Sequence, residues 1–141
     1  DLVEPMAQVL SNLGVVRGLV VNGSDGLDEA TMTGATHMCE IREGKFRTYD
    51  LTPEALGMRR CTLQDLVGGT PEENARISRD ILTGKLKGPK RDAVILNSAL
   101  SLYLGIDDCS IPECVKMANE IIDSGKAGDK LEQFVAATKE V

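Results

Sequence analysis

Tryptophan is missing from this sequence, and two tyrosines and two phenylalanines bring aromatics to only 3% of 141 residues. A core must therefore be filled by Leu, Ile, Val, Ala and Met, which a 42% hydrophobic share can supply. An excess of basic charge is also missing. Sixteen Lys and Arg face 22 Asp and Glu, for a net charge of −6. That excludes a nucleic-acid backbone as the expected partner, since phosphates recruit cations, and weighs against an anionic membrane surface. A small anionic substrate stays open, because one site can be electropositive on an acidic protein. No apolar run approaches the roughly 20 residues that span a bilayer. Cys39, Cys61, Cys109 and Cys114 form no CxxC pair, and there is one histidine, so the spacing of a zinc site is missing. Buried free thiols in a reducing cytoplasm are expected. Asp1-Leu2-Val3-Glu4-Pro5 has no basic start, apolar signal or initiator Met, so the chain is expected to begin inside a longer protein. Its length suits one domain.

What is present reads as an α/β chain. Leu2, Met6, Val9, Leu10 and Leu13 recur at helical spacing over residues 2–13, and Gly14 suits the helix end. Val15 to Val21 is β-branched and predicts a buried strand. Residues 36–42 and 45–51 predict two strands joined by a two-residue turn at Glu43-Gly44, with His37, Cys39 and Ile41 on one face. The Gly-rich stretch 52–69 is irregular, with one helical turn expected over 62–66. Thr70-Pro71-Glu72-Glu73 and Ser110-Ile111-Pro112-Glu113 are capping boxes opening helices. Pro89 opens another that Gly105 ends, and a short helix follows Gly125. The expected fold is a mixed sheet covered by helices, treated as a single unit over 1–141. Partner strands for residues 15–21 are expected upstream.

The stretch richest in chemistry is Asn22-Gly23-Ser24-Asp25-Gly26-Leu27-Asp28-Glu29. It follows the first strand, and ligands of open α/β sheets sit beyond strand carboxyl ends. Magnesium takes one or two carboxylates and completes its shell with water and substrate phosphates. Neighbouring acids on a loop can serve it; on a regular strand they would point to opposite faces. The plainer alternative has Asp28 capping a short turn and Glu29 solvated.

Four stretches in order resemble the anthranilate phosphoribosyltransferase family. They are Gly26-Leu27-Asp28-Glu29, Gly68-Gly69-Thr70-Pro71-Glu72-Glu73-Asn74-Ala75, Gly88-Pro89-Lys90-Arg91-Asp92 with Leu96-Asn97-Ser98-Ala99, and Ile122-Asp123-Ser124-Gly125-Lys126-Ala127. The resemblance implies part of the C-terminal domain of the nucleoside phosphorylase and phosphoribosyltransferase scaffold. It implies transfer of a phosphoribosyl group from phosphoribosyl pyrophosphate to anthranilate in tryptophan biosynthesis. It also implies Mg²⁺ held by Asp28 and Glu29, with Asn22 and Gly23 beside the substrate. The family often has His where Asn22 stands. Its N-terminal helical domain, its phosphate loop, its Lys-His-Gly-Asn segment and its anthranilate-contacting Arg are not found in residues 1–141. The isolated chain is therefore expected to be inactive. Family members are usually dimers through N-terminal helices absent here. No residue is expected to act as a covalent nucleophile.

Other residues have plainer expectations. Lys85, Lys87, Lys90 and Arg91 read as a solvated connector before a phosphate contact. Asn74 and Asn97 read as packing residues bonding to neighbouring backbone. His37 reads as structural, with no partner acid in sequence. Met32 and Met38 read as core. Ser24 and Asp25 read as turn chemistry as readily as pyrophosphate contacts. Two rivals stay open: a pyrimidine nucleoside phosphorylase on the same scaffold, and a non-catalytic assembly module pairing through an exposed strand edge.

Overall fold

The computed structural model describes residues 2–139. Helix α1 (Val3–Asn12) leads into strands β1 (Arg17–Gly23), β2 (Thr36–Arg42) and β3 (Lys45–Leu51). After a 3₁₀ turn over Pro53–Leu56 come helices α2 (Leu63–Leu66), α3 (Pro71–Leu82), α4 (Pro89–Gly105), α5 (Ile111–Asp123) and α6 (Lys126–Ala137). The α/β class is borne out. All three strands run antiparallel in the order β1-β2-β3, so β1 finds its partner downstream in β2 and not upstream as expected, and it has no second neighbour among the described residues.

Local chemistry explains most boundaries. Glu43 and Gly44 both take positive φ, 50° and 74°, the geometry that matches a two-residue turn to strand twist. This sets Arg42 opposite Lys45. Reciprocal capping boxes open α2 at Thr62 and Asp65, α3 at Thr70 and Glu73, and α5 at Ser110 and Glu113. Each satisfies two backbone groups that a helix start leaves unpaired.

The sheet lies between α1 and α4. Alternation along β2 sends Cys39 and Ile41 to α1, where they bury against Val3 and Ala7. It sends Met38 the other way, to join Met32, Leu96 and Leu100 under α4. Met32 and Met38 are fully buried, as expected. A third cluster forms where α4 meets α5 around Ile95, Ala99, Cys114 and Ala118. Helix α1 departs from the face its periodicity suggests. Leu2, Met6, Val9 and Leu13 stay exposed, and the buried face is Val3 and Ala7. The small Ala7 side chain lets the helix lie close on the strands, and the larger residues on its remaining faces are left outside. No helix among the described residues is long and apolar enough to cross a membrane.

Candidate functional site

The site grows from the end of β1. Between Gly23 and Thr36 the chain turns on itself around the Asp25 carboxylate. Thr31 donates its hydroxyl to Asp25 Oδ2, Thr33 donates to the same oxygen at 2.6 Å, and the Leu27 N–H reaches Oδ1 at 3.2 Å. Burial pushes the Asp25 carboxyl up, but the three hydrogen bonds outweigh it and hold the group below its ordinary range. Gly23 is needed here for space: a Cβ would stand 2.5 Å from Asp25 Oδ1 and 3.1 Å from Thr31 Cβ. Its N–H donates to the Leu27 carbonyl at 2.9 Å, and its own carbonyl accepts from Gly26 N–H at 2.9 Å. Asn22 is exposed, and its side-chain amide donates to the Leu27 carbonyl at 3.3 Å.

The far end of the loop is tied to α4. Asn97 Oδ1 accepts the Ala30 N–H at 3.0 Å, and Asn97 Nδ2 donates to the Ala30 carbonyl at 2.9 Å. Asn97 Nδ2 also donates to the Ala93 carbonyl of its own helix at 3.1 Å. Ala30 is buried. With both ends fixed, Asp28 and Glu29 project from a short bridge between the Asp25 knot and the Asn97 clasp. Both are exposed, and neither enters an ion pair among the described residues. Glu29 lines a cavity of about 600 Å³ with Leu27, Leu63, Leu66, Asn74 and Lys90, and a neighbouring one of about 340 Å³ with Asn97 and Ser98. Asp28 lines neither.

These donors suit a hard divalent cation that brings part of its own shell. Two carboxylates are uncommitted, while the third acid of the stretch, Asp25, is consumed by threonine hydroxyls. Among the described residues no three His, Cys, Asp or Glu converge as a complete cage. Magnesium does not require one, since water and phosphate oxygens fill its remaining positions.

Most other candidates find structural partners; Lys85 has none among the described residues, and Arg91 is buried where a solvated connector is expected. Lys87 Nζ meets Asp123 at 2.6 Å, Lys90 Nζ donates to the Asp65 carbonyl at 2.7 Å, and buried Arg91 spans Asn119 and Asp123 at 2.8 Å each. Asn74 bonds both backbone groups of Gly69. His37 corrects the expectation of no partner acid. Nδ1 lies 2.7 Å from Asp50 and Nε2 lies 3.0 Å from Glu4. Hydrogen bonds to those carboxylates raise its pKa. All four cysteines are free; Cys39 and Cys114 are buried, while Cys61 and Cys109 are only partly so. The expected bonding of Asn97 to neighbouring backbone is found, with Ala30 as the partner that sequence does not name; sequence reasoning misses the threonines that hold Asp25. Thr31 and Thr33 at alternate positions after an acidic turn are the available signal.

Comparison with known proteins gives the chain a family and a fold. The family described as "Glycosyl transferase family, a/b domain" matches residues 1–128. The anthranilate phosphoribosyltransferase of Endomicrobium trichonymphae is 49% identical over 140 residues, covering 99% of this chain and 41% of that protein. That of Ruminiclostridium cellulolyticum is 53% identical over 135 residues, covering 96% and 39%. The chain thus spans about two fifths of the length of these relatives. Among solved structures, the anthranilate phosphoribosyltransferase of Thermus thermophilus superposes with a TM-score of 0.87 at 42% identity, over 96% of this chain and 39% of that one. The Saccharomyces cerevisiae enzyme in complex with PRPP and Mg gives 0.89 at 27% identity, over 99% and 40%.

Proposed function

Because this chain belongs to the glycosyl transferase family, a/b domain, we propose that it is the C-terminal part of the catalytic domain of an anthranilate phosphoribosyltransferase. The longer protein would move the phosphoribosyl group of phosphoribosyl pyrophosphate to the anthranilate nitrogen and release pyrophosphate, in tryptophan biosynthesis. The observation that carries this reading is the pair Asp28 and Glu29, free of ion pairs among the described residues, in a loop anchored at both ends, with Glu29 at a cavity wall. The relatives matched over nearly all of this chain support it.

In this reading Asp28 and Glu29 hold Mg²⁺, which when bound neutralises charge on the departing pyrophosphate. The chain's remaining work is positioning. Asp25, Thr31 and Thr33 fix the first half of the loop, and Asn97 fixes the second. Asn22 keeps its side-chain oxygen for substrate. Gly23 serves through the turn it permits, since both its backbone groups bond within the loop. No side chain needs to attack covalently. A reducing cytoplasm suits the four unpaired thiols.

The test is to assay the longer protein with phosphoribosyl pyrophosphate and anthranilate, then with a pyrimidine nucleoside and phosphate. Magnesium-dependent phosphoribosyl anthranilate is expected. Nucleoside cleavage in its place would move the assignment to a phosphorylase. The 141-residue chain alone is expected to be inactive, because it spans about 40% of its relatives; product formed by it would contradict that expectation.

A further inference from the structure

The opposite end of the sheet carries a separate feature. Strand register sets Arg17 against Arg42, and Arg42 against Lys45. Directly paired residues share a face, so three cations form one row across three strands. Arg47, two residues beyond Lys45, joins them on that face. Like charges directly opposite each other destabilise a sheet, and this chain is acidic overall, with a net charge of −6.

Local carboxylates answer only part of this charge. Asp107 pairs with Arg17 at 3.0 Å, and Arg17 also donates to the Tyr103 and Ile106 carbonyls where α4 ends. Glu40 is buried on the same face and accepts the Tyr103 hydroxyl at 2.7 Å. Asp108 is at the rim, exposed. Arg42, Lys45 and Arg47 have no ion pair among the described residues. Arg47 lies over the Tyr49 ring at 5.0 Å, which steadies its guanidinium and leaves its N–H edges free.

A cavity of about 510 Å³ opens here, walled by Arg42, Arg47, Tyr49 and Tyr103 on one side and by Leu56 and Pro112 on another. A second of about 210 Å³ shares Arg42, Arg47 and Tyr103 and adds Lys45, Phe46 and the Glu40 that stands opposite Arg47 in the register. We propose that this cationic corner binds a small organic phosphate, its phosphate between Arg42 and Arg47 and its apolar body against Leu56 and Pro112. Two guanidinium forks match a phosphate's several oxygens better than a carboxylate's two. The corner stands at the start of β1 and the Asp28–Glu29 loop beyond its end, about 20 Å apart by strand rise, so this inference does not depend on the proposed catalytic role.

The test uses the 141-residue chain once cooperative thermal unfolding shows that it folds alone, and otherwise the longer protein, in EDTA, which removes any metal from Asp28 and Glu29. Phenyl phosphate is titrated by calorimetry and followed by amide NMR, with inorganic phosphate and benzoate as comparators. Saturable binding is expected, with shifts centred on residues 42, 47, 49 and 103. Arg42→Gln or Arg47→Gln should each weaken it about tenfold or more. Both positions are exposed, so the variants should keep the parent's thermal unfolding. Lys85→Gln should leave binding unchanged. Absence of saturation at millimolar probe, benzoate binding as tightly as phenyl phosphate, or an equal loss in Lys85→Gln would each overturn the proposal. Inorganic phosphate binding as tightly as phenyl phosphate would overturn the apolar wall's part in it.

Discussion

The side-chain amide of Asn97 grips the backbone of Ala30 from both sides, accepting its N–H at 3.0 Å and donating to its carbonyl at 2.9 Å. One helix residue thereby fixes the residue that follows Glu29. Removing the amide strands two buried backbone groups, each costing about 1–3 kcal/mol. Asn97→Ala should therefore lower stability by about 2–4 kcal/mol in urea unfolding and loosen Ala30 amide exchange. Asn97→Asp should not rescue it, because a carboxylate oxygen would then face the Ala30 and Ala93 carbonyls. A loss well below about 1 kcal/mol for Asn97→Ala would show the clasp to be dispensable.

At the other anchor, Gly23→Ala should act through contact with Asp25. The added methyl would sit 2.5 Å from Oδ1, so the carboxylate must leave Thr31 or Thr33. A loss of about 1–3 kcal/mol is expected. Asp25→Asn should flatten the acid limb of stability. Because the folded state holds the Asp25 carboxyl below its ordinary value of 3.8, its contribution is present above that pH and lost as pH falls through the folded value. Equal acid sensitivity in Asp25→Asn and the parent chain would count against this role.

Much of this architecture is legible in residue types. Gly44 marks a tight hairpin because the turn needs positive φ there, which glycine takes without cost and Glu43 must be held in by the pairing around it, and Ser or Thr with Glu three residues on specifies α3 and α5 through local bonds alone. What stays hidden is contact between distant segments. Asn97 and Ala30 lie 67 residues apart, and no periodicity relates them. Along α1 apolar residues occupy several faces, and only the position of the sheet decides that Ala7 is buried while Leu13 is 77% exposed. The acidic stretch 22–29 stands out as chemistry, but its division into a structural Asp25 and a free Asp28 and Glu29 depends on where Thr31 and Thr33 fold back.

His37 joins α1 to the hairpin by bridging Glu4 and Asp50. Hydrogen bonds to Asp50 and then Glu4 raise its pKa above 6.5. A raised folded value means the stabilisation is complete below the unfolded pKa and is lost as pH rises through the folded one. NMR titration of His37 should give a midpoint above 6.5, and Asp50→Asn should lower it. A midpoint at or below 6.5 in the parent chain would contradict the bridge.

Asp28 and Glu29 are proposed to hold together the magnesium that opposes the leaving pyrophosphate, and the catalytic meaning of the loop they stand on follows from that. The most direct test is a magnesium titration of phosphoribosyl transfer in the longer enzyme, with Asp28→Asn and Glu29→Gln combined, alongside Mn²⁺ binding by electron paramagnetic resonance in the presence of pyrophosphate. The double variant should need much more magnesium, reach a lower maximal rate and bind Mn²⁺ more weakly, with folding unchanged. Superimposable titration curves for variant and parent would contradict the shared metal role.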